Sequence, residues 1–187
     1  MTPLPLLAEI APLPGGWRLR PVTGADEPLL RRIHAGTRQA ELDASDWSET
    51  QRAQFLDLQF RAQRSHDEAH HPGAEHTVVE TSLDLQAWAA AGRLRLHRRP
   101  DALHVLDIAL LPECRSRGLG TRVLRSVMAR AAASGRVVSI HIEQGNPARR
   151  LCERLGFVPV GPLVGIHQRM AWRAAPQRQR QACDEQA

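Results

Sequence analysis

The chain has 187 residues, 42% hydrophobic and 24% charged, which is the balance of one globular domain and excludes a disordered or fibrous chain. No run approaches the ~18 consecutive apolar residues of a membrane span. The formal charge of +5 comes from arginine alone, since there is no lysine. The arginines are scattered from Arg18 to Arg180 with few aromatic residues among them, which argues against nucleic acid and for an anionic small ligand.

The opening segment, residues 1–14, is apolar but carries no basic leader. Pro3, Pro5, Pro12 and Pro14 would break a signal-peptide helix, so an extended arm on a cytoplasmic protein is expected. Cys114, Cys152 and Cys183 lack the even count and close spacing of a disulfide framework and read as reduced thiols. The folded domain is expected over 15–174. It starts with a strand from Trp17 to Thr23, a turn at Gly24 to Asp26, and a helix with Asp26 as N-cap and Pro28 in its first turn. A long amphipathic helix is predicted from Ser45 or Asp46 to about Ala69, ended by His71-Pro72-Gly73. Strands follow over His76 to Thr81 and within Ala87 to His97. Leu103 to Leu111 is apolar enough for a strand buried on both faces. A helix from Gly118 to Ala133 and a strand from Val137 to Ile142 complete a crossover with parallel strands. A short helix over Pro147 to Leu155 and strands at Val158 to Val160 and Ile166 to Trp172 close the domain. Residues 175–187, rich in Gln, Arg and Ala, read as a flexible tail.

The chemistry concentrates at Arg115-Ser116-Arg117-Gly118-Leu119-Gly120, between a buried strand and a helix. A turn here exposes backbone N–H groups, and glycines let a pyrophosphate approach the main chain. The helix N-terminus adds favourable partial charge, and Arg115 and Arg117 can add charge-assisted contacts. The same pattern also serves plain strand-to-helix packing. A second motif lies downstream: Asn146-Pro147-Ala148-Arg149 opens a short helix that ends in Leu155-Gly156-Phe157.

The two motifs in this order and spacing resemble the GNAT superfamily of acyl-CoA-dependent N-acetyltransferases, most closely over 103–172. The resemblance implies an α/β fold: a mixed, mostly antiparallel sheet of six to seven strands, flanked by about four helices, with a parallel pair splayed at strands four and five. It implies acetyl-CoA as co-substrate and direct attack by an amine in a ternary complex. Leu110 and its strand neighbours would offer backbone groups to the pantetheine arm and the thioester carbonyl. Arg115, Ser116, Arg117, Gly118, Leu119 and Gly120 would hold the pyrophosphate. Asn146 would hydrogen-bond the cofactor, or cap the following helix, or both.

The sequence departs from the family at Cys152, where many relatives keep a tyrosine that protonates the departing thiolate; this chain has no tyrosine. The Cys152 thiol either donates that proton or packs as a small apolar residue. For the base that takes the amine proton, His104 stands slightly ahead of Asp107, with Glu143 a third candidate. Strict alternation would put His104 and Asp107 on opposite faces of the strand. His66, Asp67, Glu68, His70, His71 and His76 cluster near the end of the long helix but lack the His-Glu-x-x-His order. They read as a solvated helix end or the rim of the acceptor cleft, and no metal is expected. The alternative class is a CoA-binding module that has lost turnover and acts as a sensor or partner protein. The acceptor, a small-molecule or peptide amine, would sit against the first two helices, segments with weak sequence signals; the chain also leaves room for a homodimer.

Overall fold

The computed structural model describes residues 16–82 and 86–175. The expected arm at 1–14 and nearly all of the expected tail lie outside the described residues. Seven strands form one sheet: β1 (Trp17–Pro21), β2 (Glu75–Thr81), β3 (Ala89–Arg98), β4 (Ala102–Leu110), β5 (Val137–Glu143), β6 (Val158–Pro159) and β7 (His167–Trp172). Their order across the sheet is β1-β2-β3-β4-β5-β7-β6, with every neighbouring pair antiparallel except the parallel β4–β5 pair. The helices are α1 (Glu27–Thr37), α2 (Gln39–Asp43), α3 (Glu49–His70), α4 (Leu119–Ala133) and α5 (Ala148–Arg154). This is the fold class that the sequence pointed to, with a fifth helix. The extra element, α2, is one turn and a half long and too short to show a periodicity.

The two faces of the sheet are covered differently. Leu94 and Leu96 of β3, Leu103 and Val105 of β4, and Val138, Ile140 and Ile142 of β5 pack against Val123, Leu124, Val127 and Ala131 of α4 and Cys152 of α5, forming the main apolar core. The opposite face lies under α1 and α3 and carries buried polar side chains, among them Arg93, Arg95, His104 and Ser139. α3 starts at Glu49, later than the sequence suggests, because Ser48 and Gln51 form a capping box. The Ser48 Oγ accepts the Gln51 N–H at 3.3 Å, and the Gln51 side chain accepts the Ser48 N–H at 2.9 Å.

Strict alternation fails in β4. Arg95 lies opposite Asp107 while the next residue, Leu96, lies opposite Val105, so Leu106 is an extra residue in a β-bulge. The bulge shifts the pleat by one, and His104 and Asp107 therefore share the α1–α3 face instead of opposing each other. His104 meets the ring of His71, just past the end of α3, and Asp107 meets Arg93.

The close approach of β3 to the end of β4 depends on Gly92, where a Cβ would fall 2.3 Å from the Ala109 carbonyl oxygen and 2.6 Å from Leu110 Cδ2. Gly92→Ala should therefore cost about 1–3 kcal/mol of unfolding free energy, read from the denaturant midpoint. A shift below about 0.5 kcal/mol would mean that the two strands separate freely at this point.

Candidate functional site

The parallel pairing of β4 with β5 runs from Ala102↔Val137 to Val105↔Ile140 and stops there, although both strands continue. The bulge at Leu106 is the first residue past the last pair. β5 stays attached to β7 through Glu143, so the two strands part into a wedge. Gly92 lies opposite Leu110, and the Leu111 N–H donates to the Ala91 carbonyl at 2.9 Å. That register turns the backbone groups of Ile108 and Leu110 away from β3 and into the wedge. The Leu110 carbonyl accepts from Arg115 Nε at 2.9 Å, while the Ile108 groups and the Leu110 N–H are left for partners that an extended, amide-bearing ligand can supply.

β4 leads through a short 3-10 turn, Pro112–Cys114, to the loop ahead of α4. Ser116 (φ 58°) and Gly118 (φ 77°) are left-handed, and Gly118 is the N-cap of α4 without a side-chain cap. No described residue accepts the backbone N–H groups of Leu119, Gly120 or Thr121. An anion fits here: free helix N-terminal donors, the positive end of the helix dipole, and no atom within 4 Å of where a Gly118 Cβ would stand. Gly120 faces Leu151 of α5, 3.5 Å from its would-be Cβ. Arg117 is exposed and pairs with no described carboxylate. The Arg115 side chain is differently placed. Its Nε donates to the Leu110 carbonyl and its Nη2 to the Gly36 carbonyl at the end of α1, both at 2.9 Å. Asn146 caps: its Oδ1 accepts the Ala148 N–H at 2.9 Å.

The catalytic candidates are brought to different depths. His104 is 6% exposed, with Nδ1 2.8 Å from the Ser139 Oγ, and its pKa is lowered to about 4 by burial first and then by His141, Arg99 and His71. It is thus neutral at physiological pH. Asp107 is partly exposed on the parted stretch of β4 and accepts from Arg93 Nε at 2.5 Å. Glu143, at the far end of β5, lies 3.5 Å from His167. Cys152 is 1% exposed inside the apolar core, and burial foremost, with Glu153 second, pushes its thiol up to about 11. Two residues escaped the sequence reading. His141 stands edge-on to His104, ring centroids 5.1 Å apart, and Arg93 fixes Asp107. The alternation Arg93, Arg95, His97 against Leu94 and Leu96 was the available signal for a charged inner face.

A cavity of about 320 Å³ lies beside this site, under α1 and α3 and over β2 and β3, lined by Thr23, Glu27, Gln63, Asp67, Arg93 and Arg95 among others. It is one strand away from the wedge, separated from it by the Arg93–Asp107 pair. Of the histidines near the end of α3, His66 and His70 stack at 4.1 Å, whereas His71 turns inward to His97. Among the described residues no group of three or more His, Cys, Asp or Glu side chains is placed to hold a metal ion. No described helix is long and apolar enough to cross a membrane.

Residues 38–157, which contain the wedge, the loop and α5, match the model of the acetyltransferase (GNAT) family. The chain belongs to the GNAT acetyltransferase family. As a GNAT acetyltransferase it uses acetyl-CoA as its acyl donor. No curated protein matches the sequence significantly. Among solved structures, the PaiA N-acetyltransferase of Thermoplasma acidophilum in complex with coenzyme A is similar with a TM-score of 0.62 at 12% identity, over 86% of this chain and 100% of that one. The spermidine N-acetyltransferase of Vibrio cholerae in complex with CoA and spermine gives 0.58 at 16%, over 84% and 95%. An acetyltransferase of Thermus thermophilus gives 0.60 at 17%, over 86% and 98%. Identities this low speak for a shared GNAT fold.

The buried histidine of this GNAT domain makes a stability prediction. Its folded-state pKa lies below the ~6.5 of the unfolded chain, so the unfolded chain binds more protons between those values. The stability is complete above pH ~6.5 and is lost as pH falls toward 4, on the order of 3 kcal/mol. His104→Gln should flatten the acid limb of a melting-temperature profile. An unchanged profile would exclude His104 as the titrating group.

Proposed function

We propose that the protein moves the acetyl group of acetyl-CoA to the amine of a small acceptor by direct attack in a ternary complex. One coincidence carries this reading. The strand that parts from its neighbour at Leu106 is the same strand that delivers the free N–H groups at the start of α4. Donors for a pyrophosphate and a slot for an extended arm therefore lie in line.

Acetyl-CoA supplies the activated thioester. The main chain of Ser116 to Gly120 holds the pyrophosphate, with Arg117 as the charged side chain free to reach it. The Ile108 backbone groups and the Leu110 N–H bind the arm and polarise the thioester carbonyl. Asn146 fixes the start of α5 and so the outer wall of the wedge. Asp107 takes the amine proton, directly or through water, because it alone among the candidate bases stands on the parted stretch of β4 and is held there by Arg93. His104 lies deeper and serves position more than proton transfer. The acceptor enters from the α1–α3 face. Spermidine, the substrate class of one structural neighbour, is one amine to test, but the adjacent cavity, lined by Arg64, Arg93 and Arg95 against Glu27, Asp67 and Glu68, does not single out a polycation.

A second reading is favoured by one observation. The chain has no tyrosine, and Cys152 at the corresponding place is buried and hard to ionise. A CoA-binding module without turnover would have that character. Steady-state release of free thiol with a panel of amines separates the two, since the module binds acetyl-CoA and releases none.

Two variants test the assignment. Gly118→Asp should abolish acetyl-CoA binding in calorimetry in a variant that melts as a folded protein, because a side chain strains this left-handed position and its carboxylate repels the pyrophosphate. Unchanged affinity would sink the loop assignment. If Cys152 packs, Cys152→Ala should lower stability by about 1–3 kcal/mol and leave turnover at saturating acetyl-CoA within a few-fold. A loss near 10²-fold in a folded variant would instead make the thiol the proton donor.

A further inference from the structure

We propose that Arg115 is a positioning residue that couples the pyrophosphate loop to the acceptor-side helix α1, so that CoA binding orders the α1–α2 junction. The inference rests on the proposed CoA site but goes beyond it, since it removes the Arg115 side chain from the phosphate.

Three contacts tie the last turns of α1 to the turn that precedes the loop. Arg32 pairs with Glu113. Gly36 lets the helix lie against Pro112, whose Cδ stands 3.2 Å from where a Gly36 Cβ would be. Arg115 donates from Nε to Leu110 O and from Nη2 to Gly36 O, both at 2.9 Å, across 79 residues of sequence in the second case. The two acceptors have different meanings. Leu110 O is the last carbonyl of β4 and faces the wedge. Gly36 O is one of the orphan carbonyls at the end of α1, where a cation is favourable. A planar guanidinium can satisfy both at once, and an ammonium cannot match that fork. After α1 the chain turns at Arg38 into α2. Any shift of residues 115–118 as they close on a pyrophosphate is thus transmitted to Gly36 and Arg38. Arg117, two residues further on and paired with no described carboxylate, is left to meet the phosphate.

The test uses the full chain and needs no known acceptor. Acetyl-CoA affinity by calorimetry and backbone hydrogen exchange over residues 36–44, with and without CoA, are compared in the wild type, Arg115→Ala and Arg115→Lys. The expected result is CoA-dependent protection over 36–44 in the wild type, lost in both variants, while affinity changes by no more than about threefold. If Arg115→Ala weakens acetyl-CoA about tenfold or more and Arg115→Lys keeps the affinity, Arg115 is a phosphate ligand and the proposal is overturned. Absence of CoA-dependent protection over 36–44 in the wild type overturns it as well. Failure of the wild type to bind acetyl-CoA at all is a different result, because it removes the CoA site itself together with the coupling built on it. Thermal melts of both variants guard against misfolding.

Discussion

A single extra residue in β4 governs the architecture of the site. Leu106 has no partner of its own in β3, and the pairing with β5 ends at the residue before it. A bulge bends its strand and increases local twist. Here the bend carries β4 away from β5, while β5 is held on its other edge by β7 as far as Glu143. The wedge is therefore a consequence of strand pairing, fixed by backbone hydrogen bonds on both outer sides. It does not depend on mobile side chains, and an extended ligand meets a preformed slot.

The bulge also sorts side chains. Upstream of it Leu103 and Val105 face the α4 core, and downstream Ile108 and Leu110 do so. Without the extra residue, Asp107 would point into that apolar core. With it, Asp107 joins Arg93, Arg95 and His104 on the α1–α3 face. Arg93 and Arg95 are each only 6% exposed, and each has a carboxylate partner, Asp107 and Asp67. Breaking one member of such a pair leaves an uncompensated buried charge, at a cost of about 3–5 kcal/mol. A charged inner face is a poor choice for stability alone. It provides fixed polar groups on the side of the sheet from which, in the proposed function, the acceptor amine approaches.

Much of this was legible in the sequence where a local rule determines the outcome. The apolar run of β4, the glycine-bearing start of α4, the crossover to β5 and the Leu155-Gly156-Phe157 corner all follow from periodicity and turn chemistry over short stretches. The parallel pair followed from crossover length. What escaped depends on pairing between distant segments. The bulge is invisible in β4 itself, because Leu106 reads as one more apolar residue in an apolar strand. Hence the faces of His104 and Asp107 could not be assigned from alternation. The Arg115 side chain escaped for a related reason: its partner, the Gly36 carbonyl, belongs to a helix 79 residues away. The α2 turn carries too few residues for a pattern.

The burial of Cys152 bears on how the leaving thiolate acquires its proton. A thiolate of ordinary basicity has a conjugate acid near the reference thiol value of ~8.5. The Cys152 thiol, pushed up to about 11 by its apolar surroundings, is the weaker acid. Transfer from it is uphill by roughly 3 kcal/mol, chiefly the cost of leaving a thiolate inside the apolar core. A tyrosine hydroxyl at the end of a longer side chain can reach past such a core toward solvent, whereas a cysteine side chain ends one bond beyond Cβ. A thiolate that leaves into the open wedge instead takes its proton from the buffered solvent, which is downhill below pH ~8.5 and leaves no charge inside the core. Cys152 is buried in the apolar core between α5 and the sheet, and the helix that carries it starts at the Asn146 cap.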